Sequence, residues 1–171
     1  MIHPRHSIVL ALLATFGPAL SASADGTAAA LYKTGTLAVD VSGPDVSLQL
    51  RLPMTRADAS TAGTQSLTPE EVVARLKAAD KLFVFPEKAR CQLENANAFA
   101  VDAQGKPTKA DGNIQAMYRF HCDGATSARV ETLGVKLFDN LPGLDQLKLQ
   151  LATDKGESTQ VLTPASGDVA L

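Results

Sequence analysis

Hydrophobic and polar residues alternate along much of the chain. Leu37, Val39 and Val41 interleave with Thr36, Ala38 and Asp40. Beyond Ser42-Gly43-Pro44-Asp45 the alternation resumes, with Val46, Leu48, Leu50 and Leu52 against Ser47, Gln49 and Arg51. A period of two on both sides of a Gly-Pro turn predicts a β-hairpin with one buried face, and Pro53 ends its second strand. Thr55 to Leu67 has no period and is rich in Ser, Thr, Ala and Gly, the composition of a loop. The period then changes. Thr68 is a good N-cap, Pro69 suits the first helical position, and Glu71 stands three residues past the cap. Val72, Val73, Leu76 and Ala79 follow at helical spacing, which predicts a helix from Pro69 to Lys81.

Leu82-Phe83-Val84-Phe85-Pro86 reads as a short strand or an irregular buried segment. Arg90 to Val101 reads as a strand in which Asn95 and Asn97 mark a bulge. Asp102 to Gly112 is an exposed connection. Tyr118, Phe120 and Cys122 alternate with Met117, Arg119 and His121, a strand that ends at Asp123-Gly124. Leu133, Val135 and Leu137 alternate again, and Phe138 to Leu144 contains the Asn, Pro and Gly of a turn or a single helical turn. Leu147, Leu149 and Leu151 form a further strand. Asp154-Lys155-Gly156 turns it back onto Thr159–Thr163. The tail from Pro164 to Leu171 is frayed or a short edge strand. About seven strands and one main helix predict an α+β fold: a mostly antiparallel sheet with that helix packed on one face.

The first residues set the compartment. A basic start (His3, Arg5, His6) precedes an apolar stretch from Ile8 to Phe16 and a small-residue end at Ala22-Ser23-Ala24. That is the plan of a cleaved export signal over residues 1–24. The apolar stretch is too short to span a bilayer, and no later run approaches that length. Residues 25–34 read as a flexible leader and 35–171 as a single domain. With the signal removed, 15 basic and 18 acidic residues remain. That balance argues against nucleic acid as a partner, since phosphate neutralisation needs a basic face. The expected product is a soluble periplasmic protein.

Export also bears on the two cysteines. Cys91 opens one predicted strand and Cys122 closes the next. If the strands are antiparallel neighbours, the two residues meet, and an oxidising compartment keeps them paired. Two buried free thiols are the alternative. No Cys-x-x-Cys is present for redox chemistry.

Catalytic constellations are missing. The mature chain has one histidine, His121, and no Gly-x-Ser-x-Gly elbow. The plain reading of His121 is a solvated imidazole on the outer face of its strand. The sharper reading is a metal ligand, with Asp123 two residues on and on the same face. Asp102, Asp111 and Asp123 are oxygen donors for calcium in principle, but no Asp-x-Asp-x-Asp-Gly loop gathers them. Glu70 and Glu71 are explained by helix capping.

Several spaced motifs resemble a family of bacterial periplasmic accessory proteins of zinc uptake, once known only as a domain of unknown function. The residues that carry the resemblance are Leu82-Phe83 with Pro86, Ala89 and Cys91, then Tyr118-x-Phe120-x-Cys122. Leu137-Phe138 with Pro142 follow, and the ending Gln150-Leu151 with Gly156, Gln160, Leu162 and Thr163. The similarity runs from Gly35 to the C-terminus. It implies an exported α+β domain with a Cys91–Cys122 disulfide, zinc as the metal concerned, and a metal-transporter component as partner. The His-x-His-Gly start of that family reads Tyr32-Lys33-Thr34-Gly35 here. The His/Asp-rich insertion reads Asp102 to Asn113 and has no histidine. A Gly-Phe-Glu-His-like segment is missing near Pro53–Ala57. The resemblance therefore implies scaffold, disulfide and compartment, and assigns zinc to no named position. The expectation is a diverged, non-enzymatic accessory protein of metal homeostasis. Its rival is an interaction or structural module of the envelope with no metal role, whose free strand edges pair with another envelope protein.

Overall fold

The computed structural model describes residues 30–56, 67–108, 112–123 and 130–171. The expected export signal at 1–24, leader residues 25–29 and loop residues 57–66 lie outside these, as does Asp111.

Ordered structure begins before position 35. Strand β1 (Ala30–Leu31) pairs with β4 (Thr55–Arg56), and Tyr32 is only 3% exposed. The expected hairpin follows as β2 (Thr34–Ser42) and β3 (Asp45–Leu52), joined by a turn in which Gly43 takes φ 59°. Only glycine enters that left-handed region without strain. Strands β6 (Cys91–Val101), β7 (Asn113–Cys122), β9 (Gln146–Thr153) and β10 (Gly156–Leu162) join the hairpin in a six-stranded sheet of order β10-β9-β2-β3-β7-β6. Four of its five pairings are antiparallel; β2 and β9 run parallel. Alternation alone does not separate the two cases, because period two serves both. Gly35 lies where three strands meet. A Cβ there would stand 2.7 Å from the Leu52 side chain and 2.8 Å from that of Leu147.

One face of this sheet is dry. Leu37, Leu48, Leu50, Ile114, Leu147 and Leu149 point into a single core, each 2% exposed or less. The other face carries Asp40, Ser47, Arg119 and Gln150, all exposed. Apart from the hydroxyls of the core tyrosines, no polar or charged side chain is buried among the described residues.

Two layers cover the dry face. One is helix α1 (Pro69–Leu76), shorter than the Pro69–Lys81 expected. Its start is as the sequence requires: the Thr68 hydroxyl accepts from the Glu71 N–H at 3.2 Å, and the Glu71 carboxylate accepts from the Thr68 N–H at 2.8 Å. The early stop has a cause in the sheet. The Tyr118 hydroxyl donates to the Leu76 carbonyl at 2.8 Å, capping an acceptor that a continuing helix would have used. The chain tightens there and resumes as a 3₁₀ turn, Ala79–Lys81. The second layer was not foreseen. β5 (Phe83–Val84), β8 (Thr132–Val135) and β11 (Asp168–Ala170) make a three-stranded antiparallel sheet of order β11-β8-β5. The Phe83 ring sits edge-on to Tyr118, centroids 4.9 Å apart, so this sheet packs over β7. A small sheet and short helical pieces thus share the work assigned to one helix. Leu137, read as part of a strand, instead opens α2 (Leu137–Asn140).

Leu50 lies at the centre of β3, between Leu37 and Ala116 of its neighbouring strands, and is fully buried. Leu50→Ala is expected to lower unfolding stability by about 2–5 kcal/mol in denaturant titrations. Ser47→Ala, on the wet face of the same strand, is expected to change it by less than about 0.5 kcal/mol.

Candidate functional site

The chain's unusual chemistry collects at one end of the large sheet. Cys91 and Cys122 are opposite partners in the β6–β7 register and are joined by a disulfide. Cys122 turns its own N–H to the Pro44 carbonyl of the β2–β3 turn, at 2.8 Å. The cysteine pair is therefore of the non-hydrogen-bonded kind, the closer of the two antiparallel pairings. Their Cα atoms are 3.8 Å apart, nearer than the roughly 4.4–6.8 Å usual for a disulfide. Arg90 adds a second tie. Its backbone is left-handed, φ 47°, and its guanidinium donates to the Asp123 carbonyl at 3.0 Å. A non-glycine residue in that region costs on the order of 1–3 kcal/mol. The neighbouring covalent link and this hydrogen bond hold it there.

His121 stands on the wet face beside the disulfide, as its place in the alternation predicts. Register brings Asp45, the first residue of β3, directly opposite it. Asp45 Oδ1 lies 2.8 Å from Nδ1 of the ring, and Asp123 Oδ1 lies 3.4 Å from Nε2. Each ring nitrogen thus faces its own carboxylate. The imidazole is about two-fifths exposed, and both aspartates are more than half exposed. The hydrogen bond that the His121 ring donates to Asp45 holds its pKa above the usual range, with the charges of Asp45, Asp123 and Glu94 acting in the same sense. Asp123 was anticipated from its spacing; Asp45 and Glu94 were not. The signal for Asp45 exists only in the pairing of β3 with β7, which one sequence does not display. Glu94 owes its position to a bulge between Leu93 and Asn95, one residue earlier than the asparagines had suggested.

The calcium candidates do not converge. Asp102 and Asp123 lie beyond opposite ends of the β6–β7 hairpin, a ten-residue strand apart, which is about 30 Å. Asp102 Oδ1 already accepts from the backbone N–H groups of Gln104 and Lys106. Among the described residues, no three His, Cys, Asp or Glu side chains gather to hold a metal.

Two depressions flank this end. The wet face forms a shallow trough of about 800 Å³ floored by small residues, Ala38, Ser47 and Ala152, with Arg119, Gln49 and Glu157 among its walls. A second, about 500 Å³, runs between the free edges of β5 and β6 and is lined by Val84, Phe85, Leu93 and Phe120. Val84 is 49% exposed and Leu93 41%, high values for large apolar side chains. Among the described residues no helix is long and apolar enough to cross a membrane.

The sequence profile of the ZrgA family of zinc uptake proteins matches residues 33–171. The chain belongs to the ZrgA family. The match spans the six-stranded and three-stranded sheets and both cysteines. No curated protein matches the chain at a significant level.

In this family member the two positions where the family's leading histidines were expected have different fates. Thr34 opens β2 and is exposed. Tyr32 is buried, and its hydroxyl has no hydrogen-bond partner among the described residues. Burial pushes its pKa up to about 12, against the opposing pull of Arg75. Tyr32 is a core residue here.

The disulfide spans 31 positions, for which chain entropy gives roughly 3–4 kcal/mol. Replacing both cysteines by serine is expected to reduce unfolding stability by about that amount, read by denaturant titration under non-reducing conditions. For His121 the sign follows from its raised pKa. The protonated ring binds Asp45 in the folded state, so the stabilisation is complete below the ordinary imidazole pKa. It is lost as pH rises through the folded value. Asp45→Asn is expected to bring the His121 pKa, followed by NMR, down towards the ordinary value. Glu157→Gln, at the far edge of the sheet, is expected to leave it unchanged.

Proposed function

We propose that this chain is a non-enzymatic accessory protein of zinc uptake, exported to the periplasm and acting there through contact with a component of the zinc transporter. The observation that carries the partner role is the apolar groove left open between the free edges of β5 and β6. An edge strand offers unpaired N–H and C=O groups along its length, and an extended segment of a partner can add to it as a further strand. Val84 and Leu93 would seat alternate side chains of that segment. The groove adjoins the disulfide through Cys91 and Arg90, which line it, so the docking edge is covalently tied to β7.

Support for a non-enzymatic role comes from the partners of the mature chain's histidine. Both ring nitrogens of His121 face carboxylates. A general base activating a nucleophile would instead turn one nitrogen to a hydroxyl or thiol. Support for export comes from the signal-like start and from the disulfide, which persists in an oxidising compartment.

A strain lacking this protein is expected to accumulate less radioactive zinc under zinc limitation than its parent. Immobilised protein is expected to retain the substrate-binding component of the zinc transporter from periplasm. Leu93→Lys and Val84→Lys together are expected to lose that retention while unfolding at the parent's denaturant concentration. Normal zinc accumulation in the deletion strain would refute the role. Retention unaffected by the paired substitutions would refute the groove.

A further inference from the structure

We propose that the outer edge of β10 is a self-association surface, on which a second copy of this chain adds its own β10 antiparallel, joining the two six-stranded sheets into one. β10 ends its sheet, and among the described residues nothing pairs with its outer side. Its seven residues, Gly156 to Leu162, pair with β9 without a break in register. Native edges are commonly blunted by proline, by a bulge or by several charges. The opposite edge, β6, has such a bulge between Leu93 and Asn95. β10 has no proline, no bulge and a single charge, Glu157. It also carries Val161, 59% exposed and the barest large apolar side chain among the described residues.

The backbone is set for that addition. Asp154-Lys155 is a two-residue turn, so Thr153 and Gly156 on either side of it form a hydrogen-bonded pair. Bonded and non-bonded pairs then alternate along an antiparallel ladder. Ser158, Gln160 and Leu162 therefore direct their N–H and C=O groups to β9, while Glu157, Thr159 and Val161 turn theirs outward. A two-fold axis at Thr159 pairs the whole of one β10 with the whole of the other. It sets Thr159 on its own copy and Glu157 against Val161, and each such outward pair exchanges two hydrogen bonds. A contact of this isologous kind closes on itself, so association stops at the dimer.

Charge selects the same register. Val161 stands opposite Lys148 of β9, on the wet side. Across the axis Val161 meets Glu157 of the second copy. That glutamate then lies in line with Lys148, two strand spacings or about 9.5 Å away, with only a valine between them. The symmetry makes this ion pair twice. Within one chain neither residue is satisfied: Glu157 and Lys148 have no ion pair or hydrogen bond among the described residues. Sliding the pairing by two residues towards the turn would set Lys155 in place of Glu157, like charge facing like. The dimer also extends the wet-face trough, whose lining ends at Glu157, Ser158 and Thr159. Two troughs become one channel lined by both copies. The groove between β5 and β6, at the far edge of each sheet, stays open.

The test is sedimentation equilibrium of the full, tag-free chain from about 1 µM to 1 mM. The expected result is a monomer–dimer equilibrium with Kd about 1–100 µM, weak because one strand pair buries little area. Thr159→Pro removes an outward N–H that β9 does not use, a placement that an edge strand tolerates. It is expected to raise the Kd at least about tenfold. Its denaturant midpoint, measured below the Kd where dimerisation adds nothing to stability, is expected to match the parent's. Glu157→Lys sets lysine against Lys148 of the other copy and is expected to raise the Kd about tenfold. Adding Lys148→Glu to that variant is expected to restore the parent's Kd within about threefold. A chain that stays monomeric throughout the range overturns the proposal. A dimer that survives both Thr159→Pro and Glu157→Lys also overturns it, as does a Glu157→Lys defect that Lys148→Glu fails to relieve.

Discussion

The register of β7 against its two neighbours is the constraint on which the rest of the molecule depends. Every residue of β7 faces either the dry core or the wet face, and a slip of one position would exchange the two sets. Tyr118 and Phe120 would turn to solvent, and Arg119 and His121 would turn inward with no partner for their charge. Three ties at one end prevent the slip. The disulfide fixes β7 on β6, the Cys122 N–H bond to Pro44 fixes it on the β2–β3 turn, and the Arg90 guanidinium holds the residue after the strand. The covalent link acts on the unfolded chain as well, by shortening the loop that must close before these distant strands can meet.

The same register builds both the core and the candidate site, on opposite faces of one strand. Tyr118 shows this from the dry side. Its ring packs against Phe83 of the small sheet while its hydroxyl ends α1, so a single side chain anchors both covering layers. His121 shows it from the wet side, where its partner Asp45 arrives by pairing rather than by nearness in sequence. The two aspartates contrast with the buried tyrosines. The carboxylates are exposed, whereas burial drives the hydroxyls of Tyr32 and Tyr118 towards their neutral forms.

What could be read from the sequence divides along the same line. The hairpin of β2 and β3, the capped start of α1 and the β7 alternation were legible, because each is written in local spacing; the pairing of the cysteines, 31 positions apart, was legible only through the export signal and the expectation that their strands are neighbours. The end of α1 was not, because it is decided by Tyr118, some forty residues away. The small sheet was not, because β5 is two residues long and β11 three, too short for any period to show. The parallel pairing of β2 with β9 was invisible for a different reason: alternation carries no direction. In the candidate site, His121 and Asp123 were within reach of a two-residue rule, while Asp45 and Glu94 required a register and a bulge. The scaffold motifs that pointed to the zinc-uptake family, around Cys91, Tyr118 and Gln150, are positions where long-range packing leaves a mark in local sequence.

Tyrosine at position 32 and histidine at position 121 have a common structural logic. Position 32 is buried beneath the entry to β2, where an imidazole would have to stay neutral or find a partner, and an aromatic ring fills the space without that demand. Position 121 is open, faces a carboxylate at each ring nitrogen, and stands beside the disulfide and the Cys122 bond to the β2–β3 turn, so its charge meets both solvent and partners.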